Sequence, residues 1–198
     1  MPNWCTNELT ISGPPKDLKR FLDACMGLPA QYPPLILPNG QKLSEKPKET
    51  EPYFCFNALI PTPKEILEIG YDGHDKIPRL TLAEILQGKM PEPMDGYQCN
   101  IANWGTKWDI YHNRLTIEDF GWHRGCKKVS AWFDTAWSPP RAWLEKAIGL
   151  YPSLTFILHY EEPGNYFAGD LYGENGVITE DIYDADRCAE VFRWTEED

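Results

Sequence analysis

Paired cysteines, positive charge and long apolar runs are all scarce in this 198-residue sequence. The six cysteines, at 5, 25, 55, 99, 126 and 188, make no C-x-x-C and no other close pair. Zinc and iron–sulfur readings therefore lack their ligand spacing, and neither metal nor cofactor is expected. No stretch approaches eighteen apolar residues, so no membrane span is expected. The opening MPNWCTNELT has neither the basic region nor the apolar run of a secretory signal. With dispersed thiols, that sets the expectation of a cytoplasmic protein. A glycine-rich phosphate loop, H-E-x-x-H and G-x-S-x-G are also missing, which withholds three familiar catalytic frameworks.

Basic residues number 19 against 30 acidic ones, a net charge of −11. The location of that charge is more informative than its sum. Residues 161–198 hold twelve acidic and two basic side chains, so nearly all of the excess sits in the last fifth of the chain. Phosphate backbones are bound chiefly through Lys and Arg, so this segment should repel nucleic acid. Direct nucleic-acid binding is not expected. An acidic face for solubility, or for a basic protein partner, is.

Tryptophan is abundant: NWGTKWD spans Asn103–Asp109 and WFDTAWSPP spans Trp132–Pro140. A hydrophobic content of 42% and an aromatic content of 13% mark a chain able to build a core. Core packing is the expected role of Trp104, Trp108, Trp132 and Trp143, since a buried indole needs only one N–H partner.

Periodicity then orders the elements. Leu9 and Ile11 alternate with Thr10 and Ser12 in a strand. Leu18, Phe21, Leu22 and Cys25 make the apolar stripe of a helix. Residues 28–51 read as loop, 53–60 as a strand, 64–70 and 80–87 as short helices, and 88–100 as loop again. Strands are expected at 106–112 and 128–136. A helix follows, capped by Ser138 and burying Trp143, Leu144, Ala147 and Ile148. Leu154, Phe156, Leu158 and Tyr160 alternate on the next strand. Asn175-Gly176 is a two-residue turn signal for a hairpin over 166–173 and 176–183, and 185–194 forms a last helix.

Without residues 28–102 the order is β-α-β-β-α-β. The fold class expected is α+β, a ferredoxin-like split β-α-β-β-α-β antiparallel sheet with an irregular insertion and a C-terminal hairpin. A single domain over 1–198 is expected. Its core comes from 1–27 and 103–162, its insertion is 28–102, and its acidic hairpin and helix extension is 163–198.

Four segments, MPNWCTN at the start, NWGTKWD at 103–109, TAWSPP at 135–140 and EEPGNYFAG at 161–169, resemble the YubB-like proteins. That resemblance implies a ferredoxin-like domain and an origin on a bacterial plasmid or phage. It implies no activity and no catalytic residues.

Candidate chemistry is thin. Asp134 and His159 fall on the sheet face away from the helices, where Asp134 could orient His159 as a general base if their strands are neighbours. Cys126 lies among His123, Arg124, Lys127 and Lys128, charges that favour a thiolate. Exposed tryptophans beside this basic run would instead suit single-stranded nucleic acid. The leading expectation is a non-enzymatic interaction module that uses Glu161, Glu162, Asp181, Asp184 and Asp186 to hold a basic host or plasmid protein. An enzyme around Asp134 and His159 is the alternative.

Overall fold

The computed structural model describes residues 3–33, 50–72, 81–89, 94–111, 115–123 and 126–194. The elements run β1 (Trp4–Gly13), α1 (Pro15–Cys25), β2 (Met26–Gly27), β3 (Tyr53–Phe54), α2 (Phe56–Leu59), α3 (Lys64–Ile69), α4 (Leu82–Leu86) and α5 (Gly96–Trp104). They continue with β4 (Leu115–His123), β5 (Cys126–Ala136), α6 (Arg141–Leu150), β6 (Thr155–Glu162), β7 (Phe167–Glu174), β8 (Val177–Ile182) and α7 (Ala185–Trp194). Six strands form one antiparallel sheet in the order β4-β5-β1-β6-β7-β8. The first four of these are the ferredoxin-like arrangement, and the β7–β8 hairpin extends it by two strands. The fold is α+β and ferredoxin-like.

Alternation on the strands decides which face is covered. Leu9 and Ile11 of β1, Val129, Ala131 and Phe133 of β5, and Phe156 and Leu158 of β6 all point to one side and are buried. α1 and α6 lie over them with Leu18, Phe21, Trp143, Leu144, Ala147 and Ile148. The fit is close. A Cβ on Gly173 of β7 would stand 2.2 Å from Ile148 Cδ1, so glycine is what lets α6 settle on that strand.

The described residues of 50–111 hold elements that their sequence does not predict. Residues 53–60 make a two-residue strand and then α2, and they send Phe54 and Phe56 into the core. Residues 96–100, expected as loop, open α5, which runs to Trp104. Asp95 caps it, accepting from Gln98 N at 2.8 Å while the Gln98 side chain accepts from Asp95 N. Residues 106–111 are not a strand; the edge strand is β4, at 115–123. Ser138 does not cap α6 either. Its hydroxyl donates to the Gly105 carbonyl at 2.7 Å.

The NWGTKWD segment explains these differences, because it ties the inserted residues to the sheet. Trp104 is buried and donates Nε1–H to Ile60 O at 3.0 Å. Gly105 ends α5 with φ 82°, and a Cβ there would lie 3.1 Å from the backbone nitrogens of Arg141 and Ala142. Thr106 donates to Ala136 O at 3.1 Å. The Lys107 carbonyl accepts from Asn100 and from Tyr71. Asp109 accepts from three backbone N–H groups, those of Phe56, Asn57 and Ile110.

The outer face of the sheet as a candidate functional site

Residues Trp4, Thr6, Glu8 and Thr10 of β1, Trp132 and Asp134 of β5, and Ile157, His159 and Glu161 of β6 share the face that α1 and α6 leave uncovered. The register places Glu8 between Trp132 and His159, and Thr6 between Asp134 and Glu161. β1 therefore separates Asp134 from His159 by two strand spacings, roughly 10 Å. The orienting pair expected from sequence does not form. In the ferredoxin-like order the first strand always inserts between those two, and alternation along single strands carries no trace of it.

His159 takes its partners from its own strand and from β7. Its Nδ1 lies 2.8 Å from Asp170 Oδ1, and its Nε2 lies 2.8 Å from Glu161 Oε1. Asp170 also accepts from Tyr183 at 2.7 Å and from Tyr172 at 3.0 Å through Oδ2. The Tyr183 ring stands against the imidazole, and Arg187 of α7 lies over Tyr183 while bonding Asp181 at 2.8 Å. The hydrogen bond to Glu161, with help from Asp170, raises His159 from 6.5 to about 9 despite the opposing effect of its burial. Asp170 is held below its ordinary value, its hydrogen bonds from Tyr183 and His159 outweighing burial. Both shifts describe one interaction. At neutral pH His159 is an imidazolium flanked by two carboxylates, which is a structural tie and not a vacant proton acceptor.

A stability test follows. Because the folded value of His159 lies above the unfolded one, its contribution is complete below about pH 6.5 and lost as pH rises through about 9. The parent should exceed His159→Gln in unfolding free energy by roughly 1–2 kcal/mol at pH 6, discounted for partial exposure, and by little at pH 10. Urea unfolding at the two pH values measures this. A constant difference would show that the pairs contribute nothing.

The acidic residues expected to dock a partner divide sharply. Glu162 is buried, and its carboxylate accepts from Gly164 N at 2.9 Å and Asn165 N at 2.7 Å, so it builds the turn after β6 and cannot face a partner. Glu161 holds His159. Asp184 caps α7 through Arg187 N at 3.0 Å, and Asp181 is bonded to Arg187 while still exposed. Asp186 is exposed in the first turn of α7. Asp170, Tyr172, Tyr183 and Arg187 did not emerge from single-strand patterns. The Asn175-Gly176 turn would have found the first two, because it fixes the hairpin register and hence the face that Asp170 shares with His159.

Buried thiols are chemically quiet here. Burial raises Cys5 and Cys55 to about 12 and raises Cys25 and Cys99 as well. The side chain of Cys126 lies outside the described residues, as does Arg124. Among the described residues no group of three His, Cys, Asp or Glu side chains is placed to hold a metal ion. No described helix is long and apolar enough to cross a membrane.

The tryptophans also divide. Trp104 and Trp143 are buried as expected. Trp132 is only partly buried, on the outer face. Trp108 packs beside Trp4 and Tyr111, with Lys107 Nζ 4.2 Å above its ring. Trp137 is 44% exposed at φ 75°, an unusual backbone for a large side chain. Lys127 and Trp137 stand at opposite ends of β5, roughly 30 Å apart, so Trp137 and the basic run do not share one surface.

Residues 107–197 match the family model described as the ferredoxin-like domain in Api92-like protein. No curated protein matches the chain. Among solved structures, the crystal structure of protein Api92 from Yersinia pseudotuberculosis is similar in fold. The TM-score is 0.60 at 11% identity, over 93% of this chain and 99% of that one. This likeness in fold takes in residues before 107, which the family model leaves out.

Proposed function

We propose that this chain is a non-enzymatic, cytoplasmic interaction module, and that its acidic C-terminal surface recruits a basic protein. In this reading one ferredoxin-like domain carries a clasping insertion and an acidic extension. The resemblance of the four motifs to YubB-like proteins supports a place on a bacterial mobile element. The observation that carries the reading is the composition of the outermost hairpin and α7. Glu174, Asp181, Asp186 and Glu190 are exposed there, beside Val177 and Ile182, which are 63% and 67% exposed. Exposed apolar side chains beside mostly acidic ones suit a docking surface more than a purely solvating one. The enzymatic alternative around Asp134 and His159 loses its base, since His159 is already protonated and paired.

Neutralising Glu174, Asp186 and Glu190 to their amides leaves the structural carboxylates Glu161, Glu162 and Asp184 intact. Capture of a cationic protein from bacterial extract should weaken about tenfold in this variant, and fall with salt once the Debye length drops below ~10 Å. An unchanged partner set with only reduced solubility would sink recruitment.

A further inference from the structure

β8 is the last strand of the sheet, and among the described residues no element hydrogen-bonds to its free edge. Natural edge strands are blunted by proline, charge (above all lysine), a bulge or a covering element, and of these β8 has only the acidic charge of Glu180 and Asp181. β8 reads VITEDI, with neither proline nor lysine, and pairs with β7 without a register shift from Gly169↔Ile182 to Glu174↔Val177. The opposite edge, β4, does shift register between Asp119 and Trp122.

The hydrogen-bond alternation shows which groups are free. Tyr183 N donates to Ala168 O at 3.0 Å, so residues 168 and 183 are a bonded pair. Antiparallel bonding recurs every second residue, so Asp181, Thr179 and Val177 also turn their backbone groups toward β7. Ile178, Glu180 and Ile182 turn theirs outward. Among the described residues, none of those three takes a backbone hydrogen bond from outside the sheet.

The side chains beside this edge set the chemistry of an occupant. Ile182 is 67% exposed and Val177 63%. Glu180 lies between Ile178 and Ile182 on one face, where it accepts from Tyr160 at 3.0 Å and pairs with Arg141; Asp181 lies on the other. A second copy is a weaker match. Antiparallel self-pairing about Glu180 or about Asp181 would set like charges directly opposite, which is destabilising, whereas pairing about Thr179 avoids it. A chain alternating basic and apolar residues meets no such penalty when a basic residue falls opposite Asp181 and apolar residues fall opposite Ile178 and Ile182, Glu180 being already paired with Arg141.

We propose that the β8 edge accepts an extended segment alternating basic and β-branched apolar residues as a seventh strand. This deepens the recruitment reading, on which it rests, by fixing both the place and the conformation of the partner.

The test uses the full chain and three capped peptides, KVKVKV, KPKPKP and EVEVEV, followed by amide hydrogen exchange. KVKVKV is expected to slow exchange at Ile178, Glu180 and Ile182 at least tenfold, with little change at Thr179 and Asp181, which are already bonded. KPKPKP carries the same charge without the strand donors and should bind at least tenfold more weakly. EVEVEV should not bind. Ile182→Pro removes one outward donor while leaving the bonds to β7, and should weaken KVKVKV about tenfold with protection across β1 and β5 retained. Equal binding of KVKVKV and KPKPKP, or binding without alternating protection, overturns the edge and leaves acidic recruitment standing. Failure of all cationic peptides to bind overturns both. A dimer formed through β8 without peptide overturns the assignment of a basic occupant.

Discussion

Trp143→Ala should cost roughly 3–5 kcal/mol of stability, the largest effect expected of any single truncation in this chain. The indole is fully buried on α6 at the point where three parts of the chain meet. Its ring centroid lies 6.2 Å from Phe21 of α1, 5.9 Å from Phe54 and 5.1 Å from Phe56, the last two supplied by the inserted residues. Removing it opens a cavity that α1, α2 and the sheet cannot all close at once. Thermal unfolding should drop by roughly 10 °C or more. Among the described residues the Nε1–H has no hydrogen-bond partner, so Trp143→Phe loses volume but also removes an unsatisfied buried donor. That variant should recover most of the stability. Trp132→Ala, by contrast, should cost only about 1–2 kcal/mol, because Trp132 lies partly exposed on the outer face and leaves no sealed cavity. Equal melting of the Trp143→Ala and Trp132→Ala variants would contradict this division.

The contrast between those two tryptophans shows what was legible in the sequence. Period-two alternation placed Ala131 and Phe133 opposite Trp132 correctly, and the i, i+1, i+4, i+5 stripe of Trp143, Leu144, Ala147 and Ile148 gave the buried face of α6. Alternation cannot say what covers each face, so Trp132 was expected in the core. The inserted residues were read poorly for a different reason. α2 and α5 are held by distant partners: α2 by Asp109, and the end of α5 by Ile60 and Ala136 through Trp104 and Thr106. Tertiary bonds of that kind override weak local propensity. Glu161 and Glu162 drop out of the acidic candidates for a similar cause. Composition sees that Glu162 is acidic; only the fold shows that two backbone N–H groups have drawn it inside.

Asp109→Ala should be nearly as damaging as the loss of Trp143, at roughly 3–5 kcal/mol, although it removes no apolar volume. Oδ1 accepts from Phe56 N at 2.7 Å and Ile110 N at 2.8 Å, and Oδ2 accepts from Asn57 N at 3.0 Å. The variant leaves three backbone donors without their acceptor, each costing about 1–3 kcal/mol where water cannot replace it. It also frees the start of α2, and with it Phe56, one of the rings around Trp143. Burial raises Asp109 from 3.8 to about 6 even though its three N–H donors favour the anion. Its folded value exceeds the unfolded one, so its contribution is greatest below about pH 4 and declines as pH rises through about 6. Asp109→Asn keeps one acceptor oxygen and cannot ionise. The stability of the parent relative to Asp109→Asn should therefore fall by on the order of 2 kcal/mol between pH 4 and pH 7. Chemical unfolding of parent, Asp109→Ala and Asp109→Asn at those two pH values measures both effects. If the Ala variant unfolds within about 1 kcal/mol of the parent, the clasp is incidental and the NWGTKWD segment does not hold the insertion to the sheet.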